Sequence, residues 1–297
     1  MIGTEPIAQR RSTRRWIVCA DDFAIDSGAV DGIVDLIARG HITATSALVG
    51  SPLWRAAAGM LPTGVGRSAG MAPRRADIGL HLNLTHAFAA QATAVWPLGE
   101  LILRCALGAI SRAALRAAIE HQLDAFENEM GRRPDYVDGH QHVHQFAVVR
   151  EELIAALLRR YPSDPPWLRS TRPPSTVRDF KARGIAALGD RRLRDLAAAA
   201  HLRTSAYLVG VYDFRADRES YWHRLSHWVR GGPDGTVLMC HPSLRTEPGD
   251  AIAAARAMEY AALGSEDFRT VLANADIALT TGGALLTESS LPATNAA

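Results

Sequence analysis

Apolar and polar positions alternate along the chain on two length scales. Short apolar runs typical of buried strands lie between longer segments whose apolar residues recur about every three or four positions, as in amphipathic helices. The predicted strands are residues 16–20, 43–49, 77–84, 136–138, 167–170, 206–212, 236–240 and 277–280. The predicted helices include residues 29–38, 112–130, 148–159, 190–200, 220–229 and 251–262. Gly131, with Pro134 just beyond it, marks the end of the second of these helices.

Repeated alternation of strand and helix predicts a parallel sheet covered by helices. For 297 residues we expect an α/β fold, a single-domain distorted (β/α) barrel of the TIM-like type, with an open doubly wound sheet as the alternative. The first strand is followed by neither a G-x-G-x-x-G nor a Walker A pattern, so the alternative lacks its usual signature. The predicted domain covers residues 14–286, and residues 1–13 and 287–297 are predicted to be disordered ends.

The segment 87–110 is long and mostly apolar for a connection between two elements. Segments of this length are often lids or binding loops, or contain an unrecognised helix, which here would cover residues 99–110. Its apolar side chains would suit a groove for a lipid-linked sugar, a lid or a dimer surface. The sequence does not choose between these three roles. A homodimer is therefore possible but not required.

Composition narrows the partners and the compartment. A net charge of +2 gives no electrostatic reason to expect nucleic acid or an anionic membrane as a partner. No apolar run approaches the ~18 residues of a transmembrane segment or the length of a signal peptide core. The three cysteines form no C-x-x-C pair, which suits a reducing compartment, and we expect a cytoplasmic protein. Lys181 is the only lysine, so Schiff-base chemistry is not expected.

Polar clusters follow four of the predicted strands. Asp21 and Asp22 end the first strand, and His81 lies in the third. The fourth strand leads into "DGHQHVH", which contains Asp138, His140, His142 and His144, and the seventh ends at His241. Because the carboxyl ends of parallel barrel strands meet on one face, and active sites are assembled there, we expect these side chains to lie close together.

Each cluster alone has an ordinary structural explanation. Asp21-Asp22 could form a turn and cap a helix, His81 could be a hydrogen-bonded core histidine, and His241 could belong to a turn. Three histidines in the five residues of "HQHVH" are harder to explain by packing. Taken together, one aspartate and two histidines are typical of a mononuclear divalent metal site. With Asp22 bound to such a metal, Asp21 could stay ionised beside it and act as a general base.

The motifs "ADDF", "GLHLNLT", "DGHQHVH" and "MCHP" resemble, in order and spacing, those of the YdjC-like (ChbG/HpnK) carbohydrate deacetylases. The resemblance covers residues 15–281. It implies a distorted βα barrel that removes an acetyl group, with a metal ion, from an N-acetylated sugar such as a chitooligosaccharide or a lipid-linked amino sugar of the hopanoid type. The family is also distantly similar to NodB-type polysaccharide deacetylases. By this resemblance Asp22, His81 and His140 bind the metal, Asp21 is the base and His241 is the acid.

The same resemblance suggests roles for further residues. Arg169 in "PWLRS" would orient the catalytic carboxylate, and Asp138 would hold a ligand histidine in the correct tautomer. His142 and His144 would contact the metal ligands or the substrate. Among the tryptophans, Trp96 is the best candidate for stacking on a sugar ring. The cofactor is one divalent metal ion, with zinc and magnesium both open.

Other functions share this set of metal ligands, and one residue differs from the family motif. The ligand set also occurs in non-haem Fe(II) oxygenases, and a metal phosphoesterase or an inactive sugar-binding relative could share the barrel. The expected partner is an N-acetylated oligosaccharide or glycolipid. The family motif usually reads "ADDFG", but here the last residue is Ala24. If that position has a positive φ, alanine costs roughly 1 kcal/mol or more and the turn shifts.

Overall fold

A computed structural model describes residues 12–62, 76–88, 95–215 and 217–288. The strands are β1 (Arg14–Phe23), β2 (Ala44–Ala47), β3 (Asp77–Leu82), β4 (Tyr136–Gly139), β5 (Trp167–Leu168), β6 (Tyr207–Val209), β7 (Thr236–Cys240) and β8 (Ile277–Leu279). The helices are α1 (Ser27–Ala38), α2 (Trp54–Ala58), α3 (Leu98–Ala106), α4 (Arg112–Met130), α5 (Val149–Arg160), α6 (Phe180–Ala187), α7 (Asp190–Ala199), α8 (Arg218–Gly231), α9 (Ala253–Leu263), α10 (Glu266–Asn274) and α11 (Gly282–Glu288). A 3₁₀ segment, His140–Gln145, follows β4.

The strands form one curled parallel sheet in the order β5-β4-β3-β2-β1-β7-β6. β8 pairs with the first residues of β1, on the same side as β2, because Trp16 has Leu279 as a neighbour on one side and Thr236 on the other. Between the two edges, the backbone of Arg203 and Ser205 hydrogen-bonds to Leu168 and partly closes the sheet. The predicted distorted βα barrel is therefore confirmed.

Two apolar clusters lie on opposite faces of the sheet. One faces the barrel interior and takes side chains from six strands, including Ile17 and Cys19 of β1. The other packs the sheet against the helices and includes Trp16, Val18 and Ala20 of the same strand. β1 reads as a continuous apolar run because both of its faces are buried, as in other all-parallel sheets. The odd positions of β1 therefore point inward, which decides where Asp21 lies.

Helix boundaries follow capping chemistry. α1 begins after Asp26, whose carboxylate accepts a hydrogen bond from the backbone of Ala29. α4 begins after Ser111, which caps the helix in the same way, and ends at Gly131, whose φ of 65° is the left-handed conformation that glycine adopts without strain. The prediction of a helix over residues 112–130 is confirmed.

Several predicted elements differ in length from the observed ones. The predicted strands 43–49, 77–84 and 206–212 are longer than β2, β3 and β6, because the chain beyond the end of each leaves the sheet. The helix suspected within 99–110 is present as α3, although residues 89–94 of that loop lie outside the described residues. Helices α2, α10 and α11 were not predicted.

The predicted disordered ends, 1–13 and 287–297, fall almost entirely outside the described residues, and that prediction is untested. None of the helices within the described ranges combines the length and apolar character needed to cross a membrane. Cys19, Cys105 and Cys240 are all buried as free thiols.

Candidate active site

A cavity of about 550 Å³ opens at the carboxyl ends of the strands. This is the end of the barrel where the sequence predicts the polar clusters to meet, and parallel barrels bind their ligands there. The predicted site residues among its lining are Asp21, Asp22, His81, His140, His142 and His241. Apolar side chains also line the cavity, among them Val211, Phe214 and Met239. Of the eight side chains expected to meet there, these six line the cavity, whereas Asp138 and His144 do not.

Asp21 and Asp22 point in different directions because the backbone turns between them. Asp21 continues the inward alternation of β1, whereas Asp22 has a φ of 63°, in the left-handed region. Arg169, fully buried just after β5, holds Asp21 with both of its terminal nitrogens, at 2.5 and 2.7 Å from the two carboxylate oxygens. A bidentate pair of this kind fixes the plane of the Asp21 carboxylate.

His81 on β3 is oriented by a hydrogen bond between its ring and the carboxylate of Asp138. Its Nδ1 lies 2.6 Å from Oδ1 of Asp138, and Ser46 contacts both groups at 3.0 Å. Its Nε2 faces Oδ1 of Asp22 at 3.3 Å. Burial lowers the pKa of His81, but Asp138 and Asp21 outweigh it and raise that pKa to about 10. A carboxylate on one ring nitrogen leaves the other nitrogen directed at a ligand position.

Asp22 is the point at which the two histidines meet. Nδ1 of His140 lies 3.0 Å from Oδ1 of Asp22, and the ligand atoms of Asp22, His81 and His140 all lie within 4.8 Å of one another. Burial would raise the pKa of Asp22, but Arg256 and His140 hold it well below its usual value. A buried carboxylate with two imidazoles converging on one oxygen fits a divalent cation.

A second group of possible ligands, Cys19, Asp21 and Asp138, lies deeper in the barrel. Arg169 occupies this position, with one nitrogen 2.8 Å from Asp138 and 3.5 Å from the sulfur of Cys19. Burial also raises the pKa of the Cys19 thiol well above its ordinary value, so the thiolate that a metal needs is disfavoured. The guanidinium already supplies the positive charge there, and this group is not a second metal site.

The three histidines of the 3₁₀ segment lie in three different environments. His140 reaches Asp22, and His142 lines the cavity with its backbone in the left-handed region, at a φ of 61°. His144 is fully buried and its Nε2 lies 2.8 Å from the backbone oxygen of Arg169. Burial lowers the pKa of His144 to about 4, so the ring is neutral and donates to that oxygen. His144 therefore holds the backbone of Arg169 through this hydrogen bond. His142 instead lines the cavity, where a bound ligand could contact it.

His241 follows β7 directly and lines the cavity. Its ring stands edge-on to Phe214, with 5.1 Å between the ring centres. Burial lowers the pKa of His241 to about 4, although Asp22 and Asp21 lie close enough to oppose the shift. Glu259 accepts a hydrogen bond from the His241 backbone and another from the hydroxyl of Tyr212, at 2.6 Å. Burial nonetheless raises the pKa of Glu259 to about 7.

Two other residues named from the sequence lie at the margin of the site. Trp96 is half-buried, packs against the apolar core, and is not among the residues that line the cavity. Its contact with a sugar is still a prediction. Lys181, the single lysine, lines the rim, where its amino group donates to the backbone oxygen of Tyr212 at 2.5 Å.

Sequence reasoning missed Arg256, Glu259, Asp250 and His86, all of which reach the site. Arg256 and Glu259 come from α9, on the same buried stripe as Ala255 and Ala262. The signal available was two charged residues at the positions where an amphipathic helix should carry apolar ones. His86 and Asp250 lie in loops without periodicity, and no pattern singles them out.

The fold and the site together define a class: parallel βα-barrel proteins with a buried carboxylate and two histidines at the carboxyl ends of their strands. Residues 15–274 match the model of the YdjC-like protein family, and the chain belongs to that family.

Two named relatives agree with this membership, and a solved structure shares the fold. The chain is 27% identical to a chitooligosaccharide deacetylase of Serratia marcescens over 76% of its own length and 81% of that protein. It is 31% identical to a human carbohydrate deacetylase, over 80% of this chain and 77% of that one. A solved Enterococcus faecalis V583 structure, provisionally described as a cellobiose-phosphate cleavage protein, shares the fold. The TM-score is 0.66 at 22% identity, over 93% of this chain and all of that one.

Proposed function

We propose that this protein is a metal-dependent hydrolase that removes the acetyl group from an N-acetylated amino sugar. The observation that carries the proposal is the convergence of Asp22, His81 and His140 beside the Asp21–Arg169 pair in a single cavity. Family membership supports the reaction class, because relatives matched over most of the chain are named as deacetylases of chitooligosaccharides or carbohydrates.

The residues present fit one divalent cation. Asp22, His81 and His140 would hold it, and Asp138 would fix His81 so that Nε2 faces the cation. A bound divalent cation would polarise the acetyl carbonyl and lower the pKa of water. Two histidines and one carboxylate suit zinc, whereas magnesium prefers oxygen ligands, so we propose zinc with magnesium as the alternative.

Asp21 and His241 carry out the two proton transfers of the reaction. Asp21, held by Arg169, takes a proton from water as the water oxygen attacks the acetyl carbon. His241 gives a proton to the sugar nitrogen as the carbon–nitrogen bond breaks, which yields acetate and a free amine. Because burial holds the pKa of His241 at about 4, that proton is not stored on the ring at neutral pH. We propose that it is the proton that Asp21 takes from the attacking water.

The cavity sets a limit on the substrate. Its volume of about 550 Å³ falls in the range of small-molecule sites and suits a short sugar. The apolar wall of Val211, Phe214 and Met239 suits the carbon face of a pyranose ring. We propose a chitooligosaccharide or a glycolipid bearing N-acetylglucosamine as substrate.

The test is acetate release by chelator-treated protein, before and after divalent metals are added back. The substrates are short N-acetylglucosamine oligomers and, in a second arm, a detergent-dispersed glycolipid with the same terminal sugar. We expect acetate only after a metal is restored, and the metal that restores it identifies the cofactor. Acetate from the glycolipid alone would identify a lipid-linked substrate.

Two other outcomes would point to the remaining functions that share this barrel. Phosphate release from a generic phosphate ester without acetate release would indicate a metal phosphoesterase. Binding of the oligomers with no acetate under any metal would indicate a sugar-binding relative that has lost the reaction. Either result would overturn the deacetylase assignment.

The homodimer suggested by the apolar segment gains no support from the single chain described.

A further inference from the structure

Arg256 on α9 is the most deeply buried cation beside the proposed metal ligands that sequence reasoning did not identify. It is 2% exposed, although arginine is almost never fully buried unless it is paired. One terminal nitrogen lies 2.7 Å from Oδ2 of Asp22, and Nε lies 2.7 Å from Oδ2 of Asp250. Arg256 therefore joins the carboxylate near the end of β1 to a carboxylate in the loop before α9.

The two oxygens of Asp22 have separate partners. Oδ1 faces His81 and His140, at 3.3 and 3.0 Å, whereas Oδ2 faces only Arg256 among the hydrogen bonds and ion pairs of the described chain. A carboxylate can bind a metal with one oxygen or with both, and the choice changes the number of positions left for other ligands. The charge-assisted hydrogen bond from Arg256 opposes a turn of Oδ2 toward a metal.

We propose that Arg256 is a positioning residue that restricts Asp22 to binding the metal through Oδ1 alone, with Asp250 holding the guanidinium in place. The inference rests on the metal site proposed above and concerns how the chain arranges it. By leaving one coordination position unfilled, Arg256 keeps that position available to water and substrate, which a catalytic site requires.

The chemistry of arginine suits this task better than that of lysine. The guanidinium presents Nε and a terminal nitrogen in a fixed plane, so it can bond Asp250 and Asp22 together, whereas an ammonium group is a single point donor. α9 is a stable support, because Ala255, Ala262 and Leu263 are buried on the same stripe as Arg256. Asp250 belongs to the loop that forms one wall of the cavity.

The test is the visible absorption spectrum of the protein loaded with Co²⁺, which reports the coordination number of the bound ion. We compare the wild-type protein with Arg256→Met. The variant frees Oδ2 of Asp22, so we expect a higher coordination number, seen as weaker d–d bands, together with a 10–100-fold loss of turnover. A wild-type spectrum in Arg256→Met would overturn the proposal.

Further variants protect the test from loss of folding. Arg256→Lys keeps the charge, and we expect its spectrum to lie closer to wild type than that of Arg256→Met. Asp250→Ala removes the carboxylate that accepts from Nε of Arg256 without changing Asp22, and we expect a change in the same direction as in Arg256→Met. If Arg256→Met does not fold, a wild-type spectrum in Asp250→Ala overturns the proposal. Arg160→Met is the matched control, because Arg160 pairs with Glu127 between α4 and α5 and should leave the spectrum unchanged.

The same experiment separates this inference from the proposed function. If the wild-type protein acquires no Co²⁺ spectrum at all, the metal site fails, and the role of Arg256 fails with it. If the wild-type protein binds Co²⁺ and the variants match it, only the role of Arg256 fails. If the variants differ as expected while no acetate is released, the positioning role stands and the deacetylase assignment falls.

Discussion

Asp21 and Asp22 are neighbours in the chain, yet the fold gives their carboxylates separate tasks. Asp21 is held by Arg169 inside the barrel, and Asp22 faces the two histidines. Asp21→Asn should therefore lower acetate release by about 10²–10⁴-fold while the metal stays bound, because only the proton acceptor is lost. Turnover at the wild-type level would exclude Asp21 as the base.

The companion variant makes that result specific. Asp22→Asn removes the carboxylate on which His81 and His140 converge, so we expect both metal content and turnover to be lost. Metal analysis of the two purified variants, alongside steady-state acetate assays, distinguishes the two tasks. Equal loss of metal in Asp21→Asn and Asp22→Asn would mean that both carboxylates serve the metal.

Ala24 occupies a position where the backbone has a φ of 73°, in the region that glycine tolerates best. In Ala24→Gly, relief of left-handed strain should add roughly 1–2 kcal/mol to the free energy of unfolding. Greater freedom of the unfolded chain should remove about 0.4–1 kcal/mol, and loss of a buried methyl about 0.8 kcal/mol. These contributions nearly cancel, so we expect a net change below about 1 kcal/mol.

Urea denaturation of wild type and Ala24→Gly measures this balance. A stabilisation of several kcal/mol in the variant would show that the turn after β1 is far more strained than its dihedral angle indicates. A matched change at Gly131→Ala, which places a side chain at a φ of 65° on an open surface, should destabilise the protein instead. The two variants together separate backbone strain from the loss of buried contacts.

Strand β3 carries a buried carboxylate at its other end, away from the cavity. Oδ2 of Asp77 accepts hydrogen bonds from Gly283 of α11, at 2.8 Å, and from Trp167 of β5, at 3.2 Å. Burial, with a smaller effect of Asp135, raises the pKa of Asp77 to about 6. The folded protein therefore binds a proton here more tightly than the unfolded chain does, so this group favours folding most below about pH 4.

The stabilising effect of Asp77 should disappear as the pH rises from about 4 to above 6. The shift of roughly 2 pKa units sets an upper limit of about 3 kcal/mol on the effect. Asp77→Asn should be less dependent on pH in this interval and at least as stable as wild type at pH 8. Urea unfolding at pH 5 and pH 8 tests this, with exposed Asp195→Asn on α7 as control. Equal pH dependence in wild type and Asp77→Asn would contradict it.

The strand ends could be predicted from the sequence, whereas the contribution of α9 could not. "ADDF", "GLHLNLT" and "DGHQHVH" each join an apolar run to a polar end, so the strand and the site residue appear in one motif. Arg256 and Glu259 reach the site only because α9 packs across the ends of β1 and β7. Local periodicity identifies the buried stripe of a helix but does not say which strands it covers.

The number and order of strands along the chain were predictable, but their arrangement was less so. Alternation of strands and helices indicates a parallel barrel. It does not indicate that β8 pairs on the β2 side of β1, so that β7 contacts β1 directly. Strands as short as β5 and β6 have too few residues to specify pairing, and their positions depend on the contacts around Leu168. The distortion of the barrel is therefore a tertiary property.

The proposed metal would connect three strands of the barrel at their carboxyl ends. Asp22 lies near the end of β1, His81 lies on β3, and His140 follows β4, so a bound cation should stabilise the folded state as a whole. A ligand that binds only the folded protein at 100 times its dissociation constant contributes about 2.7 kcal/mol. We expect a rise of several degrees in the melting temperature when Zn²⁺ is added to chelator-treated protein.

His140→Ala is the control for that rise, because it removes one ligand at the edge of the cavity and leaves the strands intact. Differential scanning calorimetry of both proteins over a series of Zn²⁺ concentrations should show a concentration-dependent shift in wild type and little in the variant. The same series with Mg²⁺ distinguishes the two candidate cofactors, since only the ion that uses this site should lose its effect in His140→Ala. Equal rises in melting temperature in both proteins would mean that the metal binds elsewhere. The proposal that one ion connects β1, β3 and β4 would then be wrong.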